Sequence, residues 1–179
     1  MKKAWVFISV LLWIGSTQSC KKLDKLTEFD IVYHTEITIS TGIPVNLPFD
    51  IPTPAIETNS EEEFQNNNTH KDLIEKIYLK KMELTITDPA NGTFDFLNSI
   101  EIYIVADGLP EKKIAWKNPV PSNIGNTLRL ETTGDDLQDY IKKDSFRLKT
   151  KVVTDQILSQ DYDIDIQSVF RVNAKILGI

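Results

Sequence analysis

Few residues of this chain have the types that catalysis or metal binding usually requires. There are two histidines, His34 and His70, and a single cysteine, Cys20. Neither histidine lies in an HExxH or similar ligand spacing, and no GxSxG, GxGxxG or phosphate-loop motif is present. One cysteine allows neither an internal disulfide nor a dithiol site. We therefore predict a protein that is not an enzyme and that carries no cofactor.

The densest group of possible metal ligands is Asp161, Asp163 and Asp165, in the stretch DYDID. On a strand these carboxylates would share one face at steps of about 7 Å, and with loop carbonyls they could hold Ca²⁺. The glycine and the closing glutamate of an EF-hand loop are absent. A solvated strand face is the favoured interpretation. We predict no metal site and keep the three aspartates as the candidates for one.

The chain is acidic, with 26 Asp and Glu against 20 Lys and Arg and a net charge of −6. With this many acids, a carboxylate pair at glycosidase spacing would have no diagnostic value. An acidic domain is a poor partner for nucleic acid and is repelled by an anionic membrane surface. We expect no nucleic-acid partner, and any membrane attachment must come from another feature.

The first twenty residues have the pattern of a secretory signal. Lys2 and Lys3 precede the apolar run AWVFISVLLWI, and a short polar segment separates this run from Cys20. The run has about half of the roughly 20 residues that span a bilayer core. We predict that residues 1–19 are a signal peptide, with Cys20 as the first residue of the mature protein.

The residues Thr17-Gln18-Ser19-Cys20 resemble the lipobox of bacterial lipoproteins, in the relaxed form of Bacteroidota, with Thr17 in place of the usual leucine. The resemblance implies acyl chains on Cys20, which anchor a protein firmly when there are two or more. Lys21 after the cysteine implies the outer membrane, with the domain facing the periplasm or the cell surface. The alternative is a soluble secreted protein with an ordinary cysteine near its cleavage site.

The remaining sequence predicts a tether over residues 20–26 and one domain over residues 27–179. Alternation of apolar and polar residues predicts strands at Thr27–Ser40, Tyr78–Thr87, Ser99–Ala106, Lys112–Trp116, Thr127–Thr132, Phe146–Val152 and Ile164–Ile176.

Irregularities in the alternation predict how some of these strands bend and pair. A bend or bulge is expected near Thr35, and a bulge at Lys80–Lys81 because Leu79 is out of phase with Met82. The last two strands are expected to pair as a hairpin across Thr154–Gln160.

The segment Ile43–Ile56 contains four prolines. Because proline cannot donate to a strand ladder, we predict a protective strand at a sheet edge, with a peptide-presenting segment as the alternative. Short helical pieces are predicted where a capping hydroxyl, acids or helical spacing occur, namely after Ser60, after Thr69, at Phe94–Leu97 and at Asp135–Lys143.

This pattern predicts a mainly β fold, an immunoglobulin-like antiparallel β-sandwich of about seven to eight strands with one or two short capping helices. An up-and-down barrel is the second choice. The stretches Asp107–Glu111 (DGLPE) and Ile114–Lys117 (IAWK) resemble uncharacterised Bacteroidota lipoproteins, a resemblance that implies the architecture and the location without an activity.

The function expected from these features is that of a non-enzymatic accessory, scaffold or binding module of the bacterial envelope, whose protein partner the sequence does not identify. The alternative is a carrier that holds an apolar ligand such as a lipid between its sheets. Large side chains predicted to point inward are expected to fill the core, which favours the first function. They are Phe29, Phe49, Phe146, Phe170 and Trp116.

Overall fold

The computed structural model describes residues 28–175, which form two antiparallel β-sheets packed face to face. The predicted fold class, a mainly β antiparallel sandwich with short helices, is confirmed. Within these residues there are ten strands, because several edge segments predicted as loops or as parts of longer strands pair over two to four residues. The predicted signal peptide and tether lie outside the described residues.

The strands are β1 (Glu28–Ile39), β2 (Phe49–Pro52), β3 (Ile56–Glu57), β4 (Ile74–Asp88), β5 (Leu97–Val105), β6 (Lys112–Lys117), β7 (Thr127–Arg129), β8 (Glu131–Thr132), β9 (Ser145–Thr154) and β10 (Tyr162–Ala174). The helices are α1 (Ser60–Asn66) and α2 (Gln138–Ile141), with 3-10 turns at Lys71–Leu73 and Phe94–Phe96. The first sheet has the order β1-β10-β4-β7, and the second has the order β2-β9-β5-β6-β8, with β3 also pairing with β9.

β1 is regular along its whole length. Each of its twelve residues pairs with β10 without a register shift, so the prediction of an irregularity near Thr35 is wrong as to a bulge. Thr35 is buried on the inner face, between the buried residues Tyr33 and Ile37. Thr35 therefore continues the alternation of buried and exposed residues, although its side chain is polar.

The bulge predicted in β4 at Lys80–Lys81 is confirmed. The pairing with β10 shifts between Lys81 and Leu79, which leaves Lys80 without a partner in the ladder. One extra residue in a strand reverses the phase of the alternation. Leu79 and Met82 therefore both point into the core, where each is almost fully buried.

The predicted hairpin between the last two strands is wrong. β9 lies between β2 and β5 in the second sheet, whereas β10 lies between β1 and β4 in the first sheet. Residues 155–161 therefore cross from one sheet to the other. The alternation within each strand indicates which face is buried. It does not indicate which other strand is the pairing partner.

The single strand predicted at Thr127–Thr132 is divided between the two sheets. β7 pairs with β4, and β8 pairs with β6. The change occurs at Leu130, which is buried and whose N–H donates to the carbonyl of Met82 at 3.0 Å. This short connection closes one side of the sandwich.

The helix starts differ in detail from the predicted caps. Ser60 lies inside α1 and is buried, while Asn59 is the N-cap residue with a left-handed φ of 45°. The hydroxyl near the helix start belongs to Thr58, which accepts from the Ser60 N–H at 3.4 Å. Thr69 does not cap the following 3-10 turn, because its hydroxyl donates to the carbonyl of Lys175.

The second predicted helix, Asp135–Lys143, is shortened to the single turn of α2. Its three apolar residues, Leu137, Tyr140 and Ile141, are buried as their spacing predicted. Asp136 does not extend the helix. Its carboxylate accepts from the backbone N–H groups of Gln138 and Ile77, so it joins α2 to β4.

Aromatic rings fill the centre of the sandwich. Phe170 of β10, Phe146 of β9 and Tyr33 of β1 meet edge to face, with ring centroids 5.4–6.0 Å apart. The Tyr33 hydroxyl donates to the carbonyl of Thr58 at 2.8 Å, and burial raises the pKa of this tyrosine. Of the five large side chains predicted to point inward, Phe146 and Phe170 are fully buried and Phe29 is partly buried. Phe49 is 41% exposed, so its prediction as a core residue is wrong.

The prediction of an edge for the proline-rich segment is confirmed, because β2 is the outermost strand of the second sheet. Pro52 and Pro54 have no N–H to donate, and Thr53 lies between them. The Thr53 N–H donates to the carbonyl of Leu148, and the Leu148 N–H donates to the Thr53 hydroxyl. Thr53 thus adds two hydrogen bonds to the pairing of β2 and β3 with β9.

An ion network joins three strands on the outer face of the first sheet. The Arg171 guanidinium donates to both oxygens of Asp30 and to Glu28, and Lys80 donates to Asp30 at 2.7 Å. Such a fork fixes geometry as well as charge. The hydrogen bond from Arg171 is the main reason that the pKa of Asp30 lies below its usual range.

Candidate functional site

The outer face of the second sheet combines half-buried aromatic rings with a dense set of charged groups. In β5, Ile100, Ile102 and Ile104 point inward and are fully buried, so Glu101 and Tyr103 between them point outward. This separation follows directly from the alternating sequence SIEIYIVA. β5 lies in the middle of its sheet, between β9 and β6, so both outward side chains have neighbours on each side.

Trp116 points to this same outer face, so its prediction as a core residue is wrong. The pairing of β6 with β5 shifts at Ile114, and both Ile114 and Ala115 are fully buried. After this bulge Trp116 lies directly opposite Glu101. Residues directly opposite on antiparallel strands project to the same side, and Trp116 is therefore half-buried on the surface beside Glu101.

Tyr103 is the centre of a network of direct contacts. Its hydroxyl donates to Glu101 at 2.7 Å, and the ammonium groups of Lys149 and Lys151 lie 5.4 and 5.5 Å from its ring centroid. These are cation–π distances. Glu101 also accepts from Lys113 at 3.2 Å.

Lys113 connects the two aromatic residues, because its ammonium group lies 5.8 Å from the Trp116 ring centroid. We call this surface the Tyr103–Trp116 face. It consists of six side chains, Glu101, Tyr103, Lys113, Trp116, Lys149 and Lys151.

The network shifts the pKa values of its members away from neutrality. The hydrogen bond to Glu101 is the main cause that raises the pKa of Tyr103 to about 12. Hydrogen bonds from Tyr103 and Lys113 lower the pKa of Glu101, against the opposing effect of burial. The tyrosine is therefore neutral and the glutamate ionised at pH 7, and neither is suited to transfer protons near that pH.

Acidic side chains border the face on the β9 side. Lys149 pairs with Glu111 and lies 3.7 Å from Asp50, and the hydrogen bond with Glu111 raises the pKa of Lys149. Glu111 ends the stretch DGLPE, and Trp116 belongs to the stretch IAWK. The two stretches that resemble uncharacterised lipoproteins thus both contribute side chains to this face or its border.

Two cations of β9 differ from the others on this side of the protein. Lys113 and Lys149 each have a carboxylate within 4 Å. Lys151 and Arg147 form no such ion pair with any residue between 28 and 175. Lys151 nevertheless lies directly opposite Asp50 of β2 and Glu101 of β5, and its charge contributes to the lowered pKa of Glu101.

The candidate aspartates for a metal site lie elsewhere, at the start of β10 in the first sheet. Asp161 accepts from the backbone N–H of Thr41 at 2.6 Å, and Asp163 accepts from the Thr38 hydroxyl at 2.7 Å. Asp165 is two residues further along the same outer face. In residues 28–175 no three His, Cys, Asp or Glu side chains are arranged to hold a metal ion.

His34 is the nearest titratable partner of Asp165. Its Nδ1 lies 3.1 Å from the carboxylate, and its Nε2 lies 3.3 Å from the amide of Gln167. The imidazole is 53% exposed. The other histidine, His70, precedes the 3-10 turn at Lys71–Leu73 and is exposed.

An open cleft of about 290 Å³ lies at the start of α1. Its lining is polar and half of it is acidic, with Glu57, Glu61, Glu62 and Asp144 around the single cation Lys71. The cleft lacks aromatic or apolar side chains in its lining, whereas small-molecule sites usually have them.

Cys20 lies outside the described residues. None of the helices within residues 28–175 has the length and the apolar character needed to cross a bilayer.

No protein-family model and no curated protein sequence matches the chain. Among solved structures, the chain is similar to CpGH89CBM32-5 from Clostridium perfringens in complex with GalNAc-β-1,3-galactose, at 10% identity and a TM-score of 0.33, covering 80% of this chain and 97% of that one. CBM32-3 from a family 31 glycoside hydrolase of Clostridium perfringens is 9% identical with a TM-score of 0.32, covering 89% and 99%.

Infectious bursal disease virus Gx strain is 10% identical with a TM-score of 0.37, covering 84% of this chain and 33% of that one. All three TM-scores are below 0.5, so we base no argument about function on these similarities.

Sequence reasoning placed no site on the Tyr103–Trp116 face. One signal was present, because Tyr103 alternates with buried isoleucines of β5 and Lys149 and Lys151 alternate in β9. The outward residues of β5 and of β9 are adjacent because these two strands pair, and the sequence pattern does not indicate this pairing.

Proposed function

We propose that this chain is a lipid-anchored, non-enzymatic binding module of the bacterial outer membrane, and that it binds through the Tyr103–Trp116 face. The anchor rests on the signal-like residues 1–19 and the lipobox-like residues before Cys20. The observation that supports the binding surface is the pair of half-buried rings, Tyr103 and Trp116, which lie on adjacent strands and project from the same outer face of the sheet.

The order within this face supports binding more than catalysis. Tyr103 and Glu101 are held in place by a hydrogen bond, and Glu101 is shared with Lys113. Side chains fixed in this way lose little conformational entropy when a ligand binds. A general acid or base should instead have a pKa near the working pH. The pKa of Tyr103 is raised and the pKa of Glu101 is lowered, so both move away from neutral pH.

The packing between the sheets supports a binding module over a carrier of an apolar ligand. Tyr33, Phe146 and Phe170 occupy the centre at edge-to-face distances. A carrier would need a cavity of roughly 300–1,000 Å³ in this region. The large inward side chains fill that space instead.

The binding surface can be tested with the full chain in neutral detergent, which removes membrane insertion of the anchor, by measuring its binding to the detergent-insoluble fraction of isolated bacterial envelopes. We expect the double variant Tyr103→Ala/Trp116→Ala to bind at least about tenfold more weakly, because aromatic anchors dominate the binding energy of surfaces. The matched control is Tyr78→Ala. Tyr78 is also half-buried with a lysine, Lys76, 5.2 Å from its ring centroid, but it lies on the first sheet.

Equal binding by the double variant and the wild type would refute the binding surface, provided that circular dichroism shows both to be folded. Equal losses in the double variant and in Tyr78→Ala would point to a general effect of aromatic truncation. That outcome would also count against the Tyr103–Trp116 face.

The anchor is tested separately by mass spectrometry of the mature N-terminus from bacterial membranes. We expect acyl chains on Cys20, and Cys20→Ser should release the protein from the membrane fraction because the acyl chains supply the attachment. A mature protein that starts with a free amine at any other residue would refute lipidation and leave the binding surface to be judged by its own test.

A further inference from the structure

We propose that the free edge of β1 is a second binding site, which takes up an extended segment of a partner protein with basic residues at alternate positions. The segment adds a strand to the first sheet, next to β1. This inference goes beyond the proposed function, because β1 belongs to the first sheet and the Tyr103–Trp116 face belongs to the second.

β1 differs from the other edge strands of the sandwich in its length. It has twelve residues, pairs with β10 alone, and contains neither proline nor a register shift. The other edge strands have two to four residues, and β2 ends at Pro52. Proteins usually shorten or block an exposed edge so that no other chain pairs with it. At β1 the strand is neither short nor interrupted.

The backbone of β1 has hydrogen-bonding groups left for another strand. In an antiparallel pair, every second residue directs its N–H and C=O groups away from its partner strand. Within residues 28–175, none of the backbone hydrogen bonds outside the strand pairs involves a residue of β1. An extended peptide beside β1 can therefore bond to the groups that point away from β10.

The charges beside this edge indicate which side chains the added strand carries on its outer side. Glu36 of β1 lies directly opposite Asp165 of β10, and like charges in this position repel each other. Across the sheet, Asp165 is opposite Thr85, and Thr85 is opposite Thr127, so this row contains no lysine or arginine. His34 contacts Asp165, and Glu36 has no ion pair within residues 28–175.

The next row across the sheet has the same excess of negative charge. Asp163 accepts from the Thr38 hydroxyl and lies opposite Asp88 of β4. A lysine or arginine of an added strand, placed opposite Glu36, would supply the missing counter-charge. Pairs of opposite charge in that position stabilise a sheet, so the surface favours basic side chains on the outer side of the added strand.

The inner side of the same edge favours apolar residues. Phe49 of β2 lies opposite the fully buried Val152, so it points to the inner side of its sheet, yet it is 41% exposed. β1 and β2 contact each other along this side of the sandwich. A strand added to β1 would direct every second side chain inward, towards Phe49. The fitting segment therefore alternates basic and apolar residues.

The same charges disfavour a second copy of this chain as the partner. β1 contains no lysine or arginine, so β1 of a second copy cannot supply the missing cation. It would instead bring another Glu36 to a row that already has an excess of carboxylates. Such repulsion excludes one partner while it admits another of opposite charge.

The experiment titrates the full chain in neutral detergent with the labelled peptide TKVKVKVT and follows its fluorescence anisotropy. We expect this peptide to bind at least about tenfold more tightly than TEVEVEVT, whose carboxylates would face Glu36. Glu36→Gln should weaken the basic peptide about fivefold, the upper range for an exposed ion pair. The matched control is Glu83→Gln, because Glu83 lies on the outer face of β4 and pairs with Lys81. This control should leave the affinity unchanged.

Two N-methylated forms of TKVKVKVT test strand addition separately from charge. One is methylated at the backbone nitrogens of its lysines, and the other at those of its valines. A strand uses the N–H groups of every second residue towards one neighbour. We therefore expect one form to bind like the parent peptide and the other at least about tenfold more weakly, because it loses several hydrogen bonds.

Equal affinity for the basic and the acidic peptide, an unchanged affinity in Glu36→Gln, or equal binding by the two methylated forms would overturn the inference. A dimer of the chain that excludes the peptide would also overturn it, in favour of a second copy. The variant Tyr103→Ala/Trp116→Ala should bind the peptide as the wild type does. Loss of peptide binding in that variant would place the peptide on the second sheet and refute the edge of β1, whereas envelope binding tests the proposed function independently.

Discussion

Replacing Phe170 by alanine is expected to lower the free energy of unfolding by about 3–5 kcal/mol, the range for truncation of a buried phenylalanine. Phe170 is fully buried, and its ring packs edge to face on Tyr33 and Phe146. These rings come from three strands and both sheets, so the resulting cavity cannot close by the movement of a single side chain. The loss is a large fraction of the roughly 5–15 kcal/mol that stabilises a typical domain.

Urea unfolding of the full chain, followed by far-ultraviolet circular dichroism, measures this loss. Phe170→Leu should cost less than the alanine variant, because it leaves a smaller cavity. Val32→Ala is the matched surface change, since Val32 lies on the outer face of β1 and is 48% exposed. A loss below about 1 kcal/mol for Phe170→Ala, well under the range for a packed aromatic, would contradict the central position of this ring.

Thr53→Val is expected to cost about 1–3 kcal/mol, although it preserves the shape of the side chain. The Thr53 hydroxyl accepts from the Leu148 N–H at 2.9 Å, and Leu148 is fully buried. Valine cannot accept this bond, so the N–H would be left buried without a partner.

Hydrogen exchange at the Leu148 amide gives a local measurement beside the free energy of unfolding. Thr87→Val is the control, because the Thr87 hydroxyl also makes a hydrogen bond to the backbone, donating to the carbonyl of Asp163, but Thr87 is exposed. It should change stability by less than about 0.5 kcal/mol, as most surface substitutions do. Unchanged protection of Leu148 in Thr53→Val would show that Thr53 does not hold the proline-rich segment.

The alternation of residue types predicted much of the secondary structure. It identified β1, β4, β5 and β6, and the buried face of the first three. It also located the bulge in β4, because Leu79 and Met82 can both reach the core only if one residue between them is extra. These features depend on residues close together in the chain, which is the information that a single sequence contains.

The errors share a different physical origin. Trp116 was predicted to be inward because it is apolar, but a bulge at Ile114 turns it outward beside Glu101. Phe49 was predicted to be inward from the alternation of its segment, but that segment ends at an exposed sheet edge. In both cases the direction of a side chain was decided by how its strand meets a neighbour distant in sequence.

The candidate binding surface shows the same division. The alternation with apolar residues indicates that Tyr103 and Lys149 each point away from a buried face. That the two side chains are adjacent is a property of the folded sheet, because β5 could have paired with another strand of similar pattern. Alternation has a period of two residues in every strand, so it fixes the face without fixing the partner. The order of strands, and with it the Tyr103–Trp116 face, follows from packing the whole core.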